Sequence, residues 1–500
     1  MFRSVRSRRG VPRGLAALLL SAGLLVAATP ATSSGGGPSA RADDRPQRWS
    51  GYAIRGTGDA AGGWIGGYRV GRTTLYMVTP TRDRNRAGFD APRAVDDLAG
   101  KAASQGDTQR AAWILSKYGG YRDATQAAAV DATVYHLLVG GKWRIGSPRG
   151  ARRIRQSDDP ASVRRFARIM LRQSRASAGE YVVRLDAAGA DVGGAVAVTL
   201  RVLDGHGRPA AGLPVTLAMA GGEPLDAVTG DDGRAVARFP ASTRGWQEVT
   251  ATVRKVPDHR LRVWPAERKG QAAAAEGGAR REVVVSTQAA VRGPQTLSLR
   301  ANPESLTIGG QARVAATVAG DGVARSATAS LFGPFASAGA AQCTGASVAS
   351  PATQLTADGT YLMPPAVPGA GGYYAWRVAV DGTDTSLPVT DCGAPTKVLA
   401  RPTTNVTWTP ASPVGNDTVS ATASVSGIPF PSQVQLRITL YQDATCTAAI
   451  ESKDFTRFGN GSISSDFFVL SPGAYSWRAE TTAGDLWVGT SSPCRGMTAS

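Results

Sequence analysis

Apolar and polar residues alternate with a period of two through the middle of the chain, starting near Tyr181. The clearest strand of this kind has four apolar members: Val196, Val198, Leu200 and Val202. Turns with the sequences DGHGRP and GDDG separate the strands, at a spacing typical of a β-sandwich. The pattern predicts a sandwich over residues 179–294, in which residues 266–280 form a flexible insertion before the final strand.

Helical periodicity replaces this alternation in the preceding part of the chain. Short strand-like runs punctuated by glycine occupy residues 49–95. Two helices follow, in which apolar residues recur every three or four positions. The first ends at the glycine pair 119–120, and the second begins at Asp123 or Thr125. Residues 43–145 are therefore predicted to form a small α+β head.

A third helix is predicted within the basic segment 146–178, because Asp159-Pro160 supplies a cap and a first-turn proline. One side of this helix carries a stripe of arginines: Arg164, Arg165, Arg168, Arg172 and Arg175. The stripe could contact polyanions of the cell envelope, such as teichoic acid or anionic lipid headgroups. It could also be the solvated face of a helix that packs on the head, which is the more common role of a basic run.

The last third of the chain is a tandem repeat, predicted to form two β modules over residues 295–398 and 399–500. Tyr374, Trp376 and Arg377 recur as Tyr475, Trp477 and Arg478, at a constant offset of 101. The two tryptophans could stack on sugars, but their alternating strands favour a role in each module's core.

All four cysteines lie in these repeats, separated by 49 residues in the first and 48 in the second. The repeated spacing predicts two disulfides, Cys343 with Cys392 and Cys446 with Cys494. Paired cysteines are typical of exported proteins.

The N-terminus carries five arginines followed by an apolar run, as in a secretory signal peptide. Residues 1–42 are predicted to be this signal and a linker, with cleavage after Ala31 or Ala42. Nothing later is apolar enough to span a bilayer, so the mature chain is expected to be secreted, extracellular and soluble, with a loose association with the cell wall left open.

The net charge is +18, but residues 142–175 hold 11 Arg or Lys against Asp158 and Asp159. The excess of positive charge is therefore concentrated in this one segment, and no nucleic-acid partner is expected. A hydrolase needs a nucleophile with a base, or paired carboxylates. The chain has three histidines, none in such a motif, so no enzyme activity, catalytic residue, metal or cofactor is expected.

Residues 195–253 resemble bacterial Ig-like modules of surface adhesins, through DGHGRPAAGLPVTLAM, VTGDDGRAVARF and GWQEVTATV. The resemblance implies a spacer or binding rod without catalytic residues. The C-terminal repeats, with LFGPF, GGYYAWR and paired cysteines, are similar to repeats in secreted proteins of high-GC Gram-positive bacteria.

Residues 64–138 resemble the thioester domain of Gram-positive surface adhesins, through GGWIGGYRVGRTTLYMVTP, AAWILSKYGG and TQAAAVDATVYHLL. The family's glutamine falls on Gln126, within Thr-Gln-Ala-Ala. Its cysteine falls on Met77, whose thioether cannot be acylated. The resemblance therefore implies a degenerate site without covalent capture.

These patterns together predict a multi-domain, mainly β protein: α+β head, basic helix, Ig-like sandwich and two tandem β modules. The expected function is non-covalent, adhesin-like interaction at the cell envelope, with an anionic wall polymer or a surface protein as partner. A secreted wall hydrolase with β targeting modules and a polyanion-binding protein that uses the arginine stripe remain alternatives.

Overall fold

A computed structural model describes residues 45–55, 63–98, 103–345, 347–349 and 351–500. The predicted signal peptide and linker, residues 1–42, lie outside the described residues. The architecture is multi-domain and mainly β, as predicted, with a helical layer confined to the N-terminal head.

The head contains four strands and four helices from the N-terminal part of the chain. The strands are β1 (Gln47–Ala53), β2 (Trp64–Val70), β3 (Thr73–Met77) and β4 (Arg93–Val95). The helices are α1 (Gln105–Tyr118), α2 (Ala124–Leu138), α3 (Pro148–Arg155) and α4 (Pro160–Ser177).

Side-chain caps fix where three of these helices begin. Ser104, Asp123 and Asp159 accept the backbone N–H groups of the residues three positions later. Each cap satisfies a donor that the first helical turn would otherwise leave unpaired. The caps predicted for α2 and α4 are therefore confirmed.

The basic segment 146–178 is part of the head rather than a separate unit. Val163, Ala167 and Met170 of α4 are buried in the same core as α1 and α2. Arg153 of α3 is also buried, and its guanidinium lies 2.6 Å from Asp131 of α2. A buried charge is tolerated only when it is paired in this way, so this contact ties α3 to the centre of the head.

Two short strands from the sandwich part of the sequence complete the head sheet. They are β12 (Leu261–Trp264) and β13 (Ala274–Gly277), and the strand order is β1-β2-β3-β13-β12-β4. The expectation of a flexible insertion at 266–280 is therefore wrong, as is a head that ends at residue 145. The physical reason is that β3 would otherwise expose a row of unpaired backbone groups, which β13 satisfies.

The Ig-like sandwich has two sheets, with orders β10-β7-β5 and β6-β14-β11-β8-β9. Its strands are β5 (Val182–Ala188), β6 (Ala190–Asp191), β7 (Ala195–Leu203), β8 (Pro214–Met219), β9 (Leu225–Val228), β10 (Arg234–Pro240), β11 (Gly245–Pro257) and β14 (Arg280–Arg292). The alternation that predicted β7 is confirmed, because Val196, Val198, Leu200 and Val202 are all buried in the core between the sheets.

Each C-terminal repeat is also a pair of sheets. The first contains β15 (Thr296–Asn302), β16 (Ser305–Thr307), β17 (Arg313–Ala319), β18 (Arg325–Phe335), β19 (Ser347–Ala349), β20 (Thr353–Leu355), β21 (Gly359–Leu362), β22 (Gly372–Val380) and β23 (Val389–Leu399). The second contains β24 (Thr403–Thr409), β25 (Thr418–Ser426), β26 (Gln433–Tyr441), β27 (Ala449–Phe458), β28 (Gly461–Val469), β29 (Gly473–Thr481), β30 (Thr490–Ser491) and β31 (Arg495–Ala499).

Both predicted disulfides are present, Cys343–Cys392 and Cys446–Cys494. Trp376 and Trp477 are fully buried, which confirms their core role. The indole of Trp376 donates to Thr396, whereas that of Trp477 lies 2.9 Å from the sulfur of Met497. The repeat therefore keeps one tryptophan position and varies its polar partner.

The junctions that precede the two repeats are built alike. Gly293 exchanges two backbone hydrogen bonds with Thr385 and Leu387 of the first repeat. Ala400 makes the equivalent pair with Leu486 and Val488 of the second. Each linker therefore pairs through backbone hydrogen bonds with the module that follows it. This pairing restricts bending between neighbouring modules.

Substitution of Gly277 by alanine tests the role of β13 in the head. The added Cβ would lie 2.5 Å from the carbonyl oxygen of Gly119 and 2.8 Å from the Tyr76 ring. We expect Gly277→Ala to destabilise the head by about 1–3 kcal/mol, the usual cost of overpacking. Gly146→Ala is the matched control, since nothing lies within 4 Å of its added Cβ. Calorimetric unfolding that is the same for both variants would contradict this packing.

Removal of one disulfide tests whether each repeat is stabilised separately. Replacing Cys343 and Cys392 together by serine opens a loop of 49 residues. We expect a loss of about 4 kcal/mol in the first repeat, from the entropy that the unfolded chain regains. The head transition should not move in a calorimetric scan, and a shift of the head instead would contradict separate stabilisation.

Candidate functional site: the arginine face of α4

Helix α4 is held rigidly with one side in the head and the other in solvent. Its buried residues recur at Val163, Ala167, Met170 and Ser174, which places them on one side of the helix. Gln173 and Leu171 also contact α1, through Tyr118 and Arg110 respectively. The orientation of the remaining side is therefore fixed by packing.

The opposite side carries the arginines that the sequence singled out. We define the arginine face as Arg165, Arg168, Arg172 and Arg175, all of which are exposed. Arg164 lies beside them and is half-buried. Spacings of three and four residues bring these side chains together along the helix. The structure thus groups the five predicted residues, with Arg164 at the margin.

The arginine face forms no salt bridge among the described residues. No carboxylate there lies within salt-bridge distance of these four guanidiniums, and Arg165 lies over the ring of Phe166 at 5.1 Å. Arg152 and Arg155 of α3 are exposed as well and extend the positive surface. The carboxylates nearest in sequence are Asp159 and Glu180, and Asp159 accepts the backbone N–H of Ser162 as the helix cap. Hydrogen bonds from Ser162, with a smaller contribution from Arg165, lower the pKa of Asp159.

The two residues aligned with the thioester pair lie in the head, on β3 and α2. Met77 is buried in the core and pairs with Ala274 across the sheet. Gln126 is half-buried in the first turn of α2, where its backbone N–H donates to Asp123. The neighbouring Thr125 hydroxyl contacts Tyr52 of β1 at 2.6 Å. All four cysteines of the chain are in the C-terminal disulfides, so no thiolate is available to Gln126.

Two of the three histidines have a contact through the imidazole ring, and the third is exposed. His136 of α2 accepts the backbone N–H of Ile145, and burial, then Arg144 and Arg110, lower its pKa. His259 contacts Arg281 at 2.9 Å, and His206 lies in the turn after β7. Within the described residues, no group of three or more His, Cys, Asp or Glu side chains could hold a metal ion.

A second group of cations is formed by residues that are distant in sequence. Lys117 of α1, Lys255 of β11 and Arg280 of β14 meet in a cleft between the head and the sandwich. This group is not predictable from the sequence. Periodicity and spacing carry no signal for it, because the fold alone brings the three residues together.

Comparisons with known proteins give a general likeness to modular β proteins. No family model matches the chain, and no curated protein matches it either. Solved structures that match include the Escherichia coli adhesin FdeC, at 16% identity and a TM-score of 0.28, covering 64% of this chain and 97% of that one.

Two further structures have similar scores. An I-band fragment of titin is 11% identical with a TM-score of 0.36, covering 64% of this chain and 98% of that one. Three N-terminal domains of the bacteriophage RB49 outer capsid protein Hoc are 12% identical with a TM-score of 0.24, covering 65% and 100%. Similarity at this level carries no argument about function.

The α-helices are confined to residues 105–177 among the described elements. None of them combines the length and the apolar character that crossing a membrane requires.

The absence of a thiolate beside Gln126 gives a direct chemical prediction. Thioester formation would release ammonia from Gln126, and methylamine would later add there. We expect an intact mass that matches the mature sequence less only the four hydrogens lost in two disulfides. Incubation with methylamine should leave this mass unchanged. A methylamine adduct mapped to Gln126 would contradict the expectation.

Proposed function

We propose that this chain is an exported, non-enzymatic, adhesin-like protein that binds an anionic cell-wall polymer through the arginine face of α4. The observation that carries the proposal is the set of four exposed guanidiniums without carboxylate partners within the described residues, on a helix whose other side is buried. Because the helix that carries the guanidiniums is already packed on the head, no backbone has to be ordered when a polyanion binds, which lowers the cost of association.

The architecture supports an adhesin-like role. The head is followed by a sandwich and two disulfide-containing modules, and both junctions before the repeats are closed by backbone hydrogen bonds. A row of such modules can hold a binding head away from a point of attachment. The disulfides also support export, since such bonds persist in oxidising compartments.

The contacts of the histidines support the non-enzymatic part of the proposal. His136 is engaged by the backbone of Ile145, and His259 is engaged by Arg281. A serine, threonine or cysteine nucleophile needs an adjacent base. Within the described residues, no side-chain hydroxyl or thiol hydrogen-bonds to a histidine ring, since the two ring contacts are to a backbone N–H and to a guanidinium. The wall-hydrolase alternative gains no observation of its own.

Charge removal from the arginine face tests the proposal. Each arginine near an anionic surface contributes about 1 kcal/mol, so Arg168→Gln, Arg172→Gln and Arg175→Gln together should weaken binding by roughly 100-fold at low salt. The measurement is retention of the mature protein on isolated cell walls in a salt gradient, where the triple variant should elute earlier. Its melting temperature should stay close to the parent value, because the three side chains are exposed.

A matched control removes the same charge from another surface. Arg184, Arg201 and Arg234 are exposed neighbours across the sheet β10-β7-β5. The triple change of these residues to glutamine should elute close to the parent. Equal loss of retention in both triple variants would indicate a net-charge effect and contradict a site on α4. Retention by anionic vesicles but not by cell walls would overturn the polymer as ligand.

A further inference from the structure

The head and the sandwich together form an open cleft whose walls come from both. We define the junction cleft by its lining residues: Ser116, Lys117, Gly120, Tyr121, Lys255, Gly278 and Arg280. Its volume is about 470 Å³, and it continues past the three cations into a recess of about 320 Å³ that is lined by Trp113 and Tyr181. This space is large enough for a small oxyanion and the group that carries it.

Three positive side chains converge on this cleft. Lys117 lies with its Nζ over the rings of Trp113 and Tyr118, at 4.8 and 5.6 Å. Arg280 donates from Nε to the carbonyl oxygen of Ser116 at 3.4 Å. Within the described part of the chain, none of the three cations, Lys255 included, forms a salt bridge with a carboxylate.

Lys255 is held in an unusual backbone conformation at the cleft. Its φ is 60°, and it lies where the register of β11 against β14 shifts between Val253 and Val256. Residues other than glycine and asparagine adopt this left-handed conformation at a cost, so the surrounding structure must impose it. The bulge interrupts the regular alternation of side chains along β11 and places the Lys255 side chain in the cleft.

The like charges in the cleft repel each other in the unliganded protein. Burial, and then the nearby Arg280, lower the pKa of Lys117. Two carboxylates are close: Asp204 in the wall of the recess and Asp258 next to Ser116. Each already accepts backbone N–H groups, from His206 and Arg208 in one case and from Arg260 in the other. Because these carboxylates are already engaged, they neutralise the three cations only in part. A bound anion would reduce the repulsion that remains among the cations.

We propose that the junction cleft binds a phosphate or sulfate group, held by Lys117, Lys255 and Arg280. Charge-assisted hydrogen bonds from ammonium and guanidinium groups are the interactions that such oxyanions prefer. The walls are fixed relative to each other, because the backbone N–H of Gly278 donates to the Leu115 carbonyl at 2.8 Å and the backbone N–H of Asp258 donates to the Ser116 hydroxyl at 3.2 Å. The anion therefore enters a preformed site.

The cleft margin fits a sugar that carries the anion. Tyr121 is 49% exposed and stacks on Tyr118, with ring centroids 6.4 Å apart and an interplanar angle of 29°. Its free face is a flat apolar surface beside Lys117, suited to a sugar ring. This site goes beyond the proposed function, because it uses none of the residues of the arginine face.

Calorimetric titration of the mature protein tests the proposal with four probes: inorganic phosphate, inorganic sulfate, glucose 6-phosphate and glucose. We expect saturable binding of at least one of the anions and none of glucose. Lys117→Gln with Lys255→Asn should weaken this binding roughly tenfold or more, as expected when charge-assisted hydrogen bonds are lost. Asparagine is chosen at position 255 because it tolerates a positive φ.

Two control variants make the test specific. Arg254→Gln removes a neighbouring charge that pairs with Glu282 at 3.6 Å and does not line the cleft, so the affinity should stay at the parent value. The triple variant of Arg168, Arg172 and Arg175 should also bind the anion as the parent does, which separates this site from wall retention. Arg280→Gln provides a second cleft variant if the double variant unfolds.

The outcomes decide between support and rejection. Tighter binding of glucose 6-phosphate than of phosphate identifies a sugar-borne group, and equal binding identifies the free anion. No saturable binding of any of the three anions by the parent would overturn the proposal. Equal anion affinity in the parent and in a folded cleft variant would overturn it as well.

Discussion

The pairing of β13 with β3 is the contact on which the arrangement of the head depends. Without it, β3 has an open edge, and the sheet ends after three strands. With it, β12 and β4 follow, and the core of α1 and α2 is closed by Ala274 and Ala275. Because β12 and β13 lie between β11 and β14 of the sandwich, the head cannot complete its fold without that module.

This discontinuous connection has consequences for function. Two strands of the sandwich, β11 and β14, lead directly into and out of the head sheet. With the link from α4 to β5, the chain crosses between head and sandwich three times, and three covalent crossings restrict rotation more than one linker does. The arginine face and the junction cleft therefore keep a fixed orientation relative to the sandwich. The additional hydrogen bonds at Ser116 and Leu115 reinforce this restriction.

Much of the fold is predictable from residues whose local chemistry is decisive. Asp159 with Pro160 begins α4, the alternation from Val196 to Val202 gives β7, and the cysteine spacing gives both disulfides. In each case a neighbouring residue or a repeated spacing carries the information. The arginine face is predictable for the same reason, because helical periodicity alone groups it.

The features that sequence reasoning missed depend on contacts between distant residues. The strand Ala274–Gly277 is short and alanine-rich, flanked by charge and glycine, and has the composition of a loop. Its strand conformation comes from the unpaired edge of β3, almost two hundred residues earlier. The junction cleft depends on the same closure, since Arg280 begins the strand that follows β13. Local strand propensity does not predict a strand that forms only because of tertiary pairing.

Native-state hydrogen exchange of the backbone amides tests the shared fold of head and sandwich most directly. The amides of Val78 and Gly278 donate to Ala273 and Leu115 across this closure. The account predicts that they exchange with an opening free energy close to that of buried amides in α2, such as Val134. Exchange of Gly278 and the β13 amides at the rate of an unprotected loop, while α2 stays protected, would contradict it.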